Sequence, residues 1–401
     1  MTLLRLCALI AVAAPGFAAV AAAPSLGRGA AAAAASSASP APAPEARAAT
    51  SDAPVPEPLI PPAGPPPGDA EVQSAIDRGL AYLALTQDRA TGGWRQDVGY
   101  KFNDRYEVTV ANRPHVGVTA LALMAFIAGG HLPGRGKYGD VVERGTDFIL
   151  SCVDPDEGYI SANETRMYSH AFATLFLAEI YGMTRRADLR MKLQQAVDLT
   201  VNSQNRQGSW RYRPLAPDSD MSIAVCQLMA LRAARNIGIA VPRSTITRAY
   251  KYIENSAYPR GSMNSGDFKY QIDQEQTRTS FALTAAGVAS LLHAGYYDDV
   301  MVRDGVRSLK RKVVRLEWDE RFPSYFYWYG HYYCSQVMFI AGDREPGLWE
   351  SYYDRMSAEL LQKQSADGSW RNDPGPGAVF GTAVATIILQ IPYEFLPIFQ
   401  R

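Results

Sequence analysis

The feature that most constrains the fold is a short turn that returns along the chain. Gln204 leads to Gly208-Ser209-Trp210 and Gln364 leads to Gly368-Ser369-Trp370, so both read Gln-x-x-x-Gly-x-Trp. Gln87 leads to Gly92-Gly93-Trp94, with one extra residue before the glycine pair. Recurrence at wide spacing marks an architecture whose units cannot bury their apolar faces alone and must stack on neighbours. Within each turn, glycine lets the backbone leave a helix, the glutamine amide bonds nearby chain ends, and the indole packs across it. Gln87, Trp94, Gln204, Trp210, Gln364 and Trp370 therefore read as structural staples rather than reacting groups.

The segments around the turns read as helices. Arg78-Gly79-x-x-Tyr82-Leu83 recurs as Arg144-Gly145-x-x-Phe148-Ile149 and, slightly offset, as Arg248-Ala249-x-x-Tyr252-Ile253. The aromatic and aliphatic residues of each copy would share one buried helix face. After the turns come apolar runs rich in Ala and Leu: His115–Ile127, Tyr168–Tyr181, Met221–Ile237, Thr279–His293, Tyr332–Ala341 and Thr382–Ile391. Pairing each run with the helix before it gives six αα units of roughly 45–60 residues, an all-α solenoid or closed ring. The fourth and fifth units have weak turns, at Gly261 to Gly266 and around Trp318. Strand signals are nearly absent.

The first 68 residues are of another kind. Arg5, the apolar run Leu6 to Val20 and the small residues Ala21-Ala22-Ala23 make residues 1–23 a secretory signal. The alternative is an uncleaved membrane anchor, although the run is shorter than the ~20 residues of a span. Residues 24–68, mostly Ala, Pro, Ser and Gly, form a disordered tether, which leaves 69–401 as the folded domain. The expected location is outside the cytoplasm, periplasmic or extracellular. The 40 Lys and Arg balance 40 Asp and Glu without a basic stripe, which argues against a nucleic-acid partner. Cys152, Cys226 and Cys334 are too few for a disulfide framework and allow at most one bridge.

The Gln-x-x-x-Gly-x-Trp turns, with Arg78-Gly79-x-x-Tyr82-Leu83 before the first, resemble the repeats of squalene cyclases and protein prenyltransferase β subunits over residues 70–401. The chain looks closest to single-toroid prenyltransferase and squalene oxidase repeat proteins. The resemblance implies an α6/α6 toroid whose second helices form the inner wall, with a cavity opening at their N-terminal ends.

Asp218-Ser219-Asp220-Met221-Ser222 is similar to the Asp-x-Asp-Asp-Thr motif of squalene-hopene cyclases, whose middle acid protonates an alkene or epoxide. The resemblance gives Asp220 that role with Asp218 in support, while Met221 replaces the last Asp and Ser222 stands where Thr is usual. By residue type alone, an Asp just before a helix is also an N-cap. The zinc pattern of prenyltransferases is not matched; His331-x-x-Cys334 could supply half a tetrahedral site or be core, and no metal or cofactor is expected. The aromatic run from Tyr325 to Tyr333, with Tyr329, His331 and Tyr332, suits an apolar pocket or wall packing between helices. His115, Tyr168, His170, Gln276 and Arg278 fall at or near inner-helix starts, where the ring geometry would turn them to the same mouth; the alternative for each is a helix cap or a core polar group. The expected function is binding of an apolar, isoprenoid-like ligand or a partner protein at the barrel mouth, with association at a membrane surface as a further option. The alternative is a class II terpene cyclase-like enzyme using Asp220 as the acid.

Overall fold

A computed structural model describes residues 70–102, 105–274, 277–314, 326–373 and 375–399. The signal segment and tether assigned to residues 1–68 lie outside the described residues, as do Gln276, Tyr325 and the turn around Trp318. All described residues belong to one compact unit.

Twelve α-helices alternate between two layers among the described residues. The inner ones are α2 (Val116–Ala128), α4 (Met167–Thr184), α6 (Met221–Asn236), α8 (Phe281–His293), α10 (Tyr327–Gly342) and α12 (Ala378–Gln390). Each packs on the next and α12 packs back on α2, so the inner layer closes into a ring. Around it lie α1 (Ala70–Thr86), α3 (Gly139–Ser151), α5 (Ala187–Asn202), α7 (Arg243–Ser256), α9 (Val300–Val314) and α11 (Leu348–Lys363). The layers follow from patterning. Every residue of α2 is buried, as expected of a helix apolar on all sides. In α7 only Thr245, Ala249, Tyr252, Ile253 and Ser256 are buried, a single stripe. The fold is thus the α/α toroid. No helix among the described residues is long and apolar enough to cross a membrane.

The staples do more than end helices. Gln204 donates to Gly208 O at 2.9 Å within its own turn and to Thr245 O at 2.9 Å on α7, while its Oε1 accepts from Arg248 Nε at 2.8 Å. Gln87 makes the same set with Gly92 O, Val141 O and Arg144, and Gln364 with Gly368 O, Ala75 O and Arg78. The indoles of Trp94, Trp210 and Trp370 donate to Leu83 O, Thr200 O and Leu360 O at the ends of the helices they follow. The arginine that opens each outer-helix motif is therefore the partner of the preceding turn's glutamine.

Two weaker turns share the same backbone. Gly158 and Gly266 have φ of +74° and +92°, and each is followed two residues later by a buried apolar residue, Ile160 and Phe268. In all five described turns a Cβ on the glycine would fall 2.3–2.5 Å from a carbonyl oxygen of the next outer helix: Arg144, Gln195, Arg248, Asp304 or Arg78. The left-handed backbone and the close approach both require glycine there.

One element departs from the sequence expectation. Between the first turn and α2 the chain makes an antiparallel hairpin of β1 (Arg95–Phe102) and β2 (Arg105–Pro114), with register shifts around Val98. His115 N donates to Trp94 O at 2.9 Å and ties the hairpin base to the toroid. Its physical origin is an alternation, Val98, Tyr100 and Phe102 followed by Tyr106, Val108 and Val110, on either side of Asn103-Asp104. Three inner helices also begin earlier than the apolar runs, α4 at Met167 instead of Tyr168, α10 at Tyr327 instead of Tyr332 and α12 at Ala378 instead of Thr382. At the other end of the ring, the turn Pro397–Phe399 packs on α4, where Ile398 N donates to the buried Glu179 Oε2 at 3.2 Å. Cys152, Cys226 and Cys334 are free thiols.

Candidate functional site at the barrel mouth

The N-terminal halves of the six inner helices surround a cavity of about 440 Å³, within the ~300–1,000 Å³ range of small-molecule sites. Val118 and Leu121 line it from α2, Phe172 from α4, Leu283 from α8 and Phe380 and Val384 from α12. The hairpin adds Val98, Gly99, Tyr100, Lys101 and Tyr106, so it stands over the helix starts. Aromatic residues of α10 fill the middle of the ring. Tyr329 Oη donates to Ser222 O on α6 at 3.1 Å, Tyr333 Oη lies 3.2 Å from Cys226 Sγ, and the Tyr332 ring meets Phe172 edge-on at 6.0 Å. The aromatic run is thus both wall packing and cavity lining.

Asp220 sits behind the lining residues Ser222 and Tyr270, fully buried, as the N-cap of α6. Its Oδ1 accepts from Ile223 N at 2.9 Å and Ser222 Oγ at 2.7 Å. Its Oδ2 accepts from Arg211 Nη1 at 2.6 Å and Tyr270 Oη at 3.4 Å. Asp218 shares Arg211 through Nε at 2.9 Å, but its carboxylate is half exposed. The lining hydroxyls are tied to this centre: Tyr168 Oη donates to Ser222 Oγ at 2.7 Å, and Tyr212 Oη and Tyr270 Oη lie 2.5 Å apart. Burial, then the nearby Asp220, pushes the Tyr168 phenol well above its usual range.

Of the residues assigned to the mouth, His115, Tyr168, Arg278, Tyr329 and Tyr332 do line the cavity. His115 also caps α2, its Nδ1 accepting from Val118 N at 3.3 Å, and burial lowers its pKa to about 4. His170 and His331 face the outer layer instead. His170 accepts from Ile160 N at 3.1 Å and meets Thr200 Oγ1 at 3.0 Å on α5, while His331 meets Tyr352 Oη at 3.1 Å on α11. The physical reason is the helical turn: His170 and His331 each lie two residues beyond a cavity-facing tyrosine, Tyr168 or Tyr329, and a step of two residues turns a side chain to the opposite side of the helix. Among the described residues, no three His, Cys, Asp or Glu side chains converge as metal ligands. Sequence reasoning passed over Arg166, Phe172, Tyr212 and Tyr270, all in the lining. Arg166, Tyr212 and Tyr270 belong to the stretches just before an inner helix, the same positional signal that pointed to Arg278.

The sequence matches no family profile and no curated protein. Solved structures share the fold. A cellobiose 2-epimerase from Spirochaeta thermophila superposes with a TM-score of 0.60 at 12% identity, covering 81% of this chain and 96% of its own. An inactive variant of an α-1,6-mannanase from Salegentibacter, in complex with α-1,6-mannotriose, gives 0.59 at 10% identity, covering 81% and 99%. A type II terpene cyclase from Scytonema, in complex with geranylgeranyl dihydroxybenzoate, gives 0.53 at 13% identity, covering 81% and 98%. At these identities the likeness is one of fold.

Proposed function

We propose that this chain is an exported single-toroid binding module that takes an apolar, isoprenoid-like ligand into the mouth cavity. The observation that carries the reading is the state of the lining. Its walls are Val118, Leu121, Phe172, Leu283, Phe380 and Val384. Four of its hydroxyls are already engaged with one another, Tyr168 with Ser222 and Tyr212 with Tyr270, while Tyr332 Oη has no hydrogen-bond partner among the described residues. A sugar would need those hydroxyls free, whereas a hydrocarbon needs only the walls. Export rests on the composition of residues 1–23. The test is organic extraction of the purified protein followed by mass spectrometry, beside Leu121→Trp, which fills the cavity. A co-purifying apolar molecule, present in the native chain and depleted in the filled variant, is the expected result. Equal recovery from both would refute the reading.

A second reading, a terpene cyclase-like enzyme with Asp220 as acid, is favoured by one observation. The Asp220–Ser222–Tyr168 hydrogen-bond chain joins the buried carboxylate to the cavity. Against it stand the four donors already on the two carboxylate oxygens. Incubation with squalene or shorter isoprenoids, with product analysis for the native chain and Asp220→Asn, decides it. Cyclised product that vanishes in the variant is required.

A further inference from the structure

Among the described residues, two cations at the cavity mouth have no anionic partner. Arg166, the residue before α4, lays its guanidinium over the Tyr100 ring of the hairpin, 5.0 Å from the centroid. Arg278, three residues before α8, lies over Tyr270 at 4.5 Å and near Phe326 at 6.0 Å. Both belong to the cavity lining, and neither side chain makes a hydrogen bond or ion pair among the described residues. The contrast with Arg211 is direct: that guanidinium is held by Asp218 and Asp220 and has no charge left to offer. Lys101 also reaches this rim, its Nζ 4.8 Å from the Phe326 centroid that Arg278 also approaches, but it is the two arginines that stand without an anionic partner. Glu164 is the carboxylate in the described lining.

Stacking on rings fixes the planes of the two guanidinium groups without using their N–H donors. Guanidinium forks placed this way suit a carboxylate or phosphate, which each can meet with paired hydrogen bonds. Below them the cavity is aliphatic and aromatic. The chemistry of the ligand is therefore divided as the cavity is.

We infer that the mouth cavity takes a single-chain amphiphile, with its hydrocarbon tail among Leu121, Phe172 and Val384 and an anionic head group between Arg166 and Arg278. The inference rests on the apolar-cavity reading above and adds the sign and position of the head group.

The test compares dodecanoate, dodecyl phosphate, dodecanol and dodecylammonium, titrated below their micelle concentrations against the full mature chain at neutral pH. Charge-assisted bonds to a guanidinium make the anions about tenfold tighter than dodecanol, or more. The ratio of anion to alcohol affinity should fall toward one in the double variant Arg166→Gln, Arg278→Gln and shrink with added salt. Both arginines are partly or fully exposed, so the fold should survive; circular dichroism checks this. Preference for dodecanoate over dodecyl phosphate, or the reverse, identifies the head as carboxylate or phosphate. Equal affinity for anion and alcohol, or tighter binding of dodecylammonium, overturns the head-group inference and leaves the apolar cavity standing. Failure of all four to bind overturns both.

Discussion

Arg78 and Gln364 stand 286 residues apart in the chain, and Arg78 Nε donates to Gln364 Oε1 at 3.1 Å. The bond joins the last described turn to the first outer helix, so the staple that links neighbouring units also closes the ring. Gln364 further holds Ala75 O and Gly368 O, both at about 3 Å. Gln364→Ala strands these carbonyls and should cost about 2 kcal/mol, while Arg78→Ala should cost about 1 kcal/mol. Urea unfolding of both single variants and the double variant checks this, with a coupling of at least about 0.5 kcal/mol expected for residues in contact. Strict additivity would mean that the closure bond contributes nothing.

A second expectation concerns Asp220. As cap and partner of Arg211 it ties the start of α6 to the loop that follows Trp210. Asp220→Ala removes the cap and one of two anions beside Arg211, and breaking such a buried pair should cost about 3–5 kcal/mol. Asp220→Asn keeps an oxygen for Ile223 N and should cost less. Thermal denaturation separates this from a group kept for chemistry, whose removal commonly leaves stability unchanged or raised.

Glu179 gives the pH dependence a definite sign. Burial raises its pKa from 4.5 to about 8, although Ile398 N donates to it. Between those values the folded chain keeps a proton that the unfolded chain releases, so stability falls as pH rises through that window. Glu179→Gln should flatten this slope and stabilise the protein on the alkaline side, as read by unfolding at about pH 5 and about pH 8.5. An unchanged slope would place the effect elsewhere.

The buried histidines act in the opposite direction. Burial lowers His170 and His293 from 6.5 to about 4 and His331 to about 3. Below pH 6.5 the unfolded chain gains protons that the folded chain refuses, so the contribution of these histidines is full above 6.5 and is lost as pH falls toward 4. His293→Gln should lessen the acid loss. Among the described residues the His293 side chain bonds Gln336 Oε1 alone, at 2.9 Å, and a glutamine amide can replace that donor. In Glu179→Gln, where the opposing carboxyl is removed, a stability curve flat from neutrality down to about pH 4 would contradict the assignment.

Much of the ring was legible because its determinants are local. Gln204, Gly208 and Trp210 lie within one turn, and the inner helices are apolar on all sides. What Arg78, Arg144 and Arg248 bond was not legible. Each reaches back to the glutamine of another turn, a pairing that exists only once the helices stack. The turn at Gly158 was not legible because Ile160 replaces Trp, whereas the turn at Gly266, with Phe268 in the place of Trp, lies within the stretch Gly261 to Gly266 that the sequence does show as a weak turn. The hairpin was missed despite a period-two pattern around Asn103-Asp104, since a helical reading on both sides hid eighteen strand residues between them. At the site, position before an inner helix was a sound guide for Tyr168 and Arg278. It could not tell His170, which turns outward, from Tyr168 two residues earlier.

The most direct test of the central claim is calorimetric titration of dodecanol into the native chain and Leu121→Trp at two temperatures. The expected result is one saturable site with a negative heat-capacity change, the mark of buried apolar surface, lost in the filled variant while its unfolding stays cooperative. Absence of saturable binding to the native chain, or equal binding to the filled one, would contradict the claim.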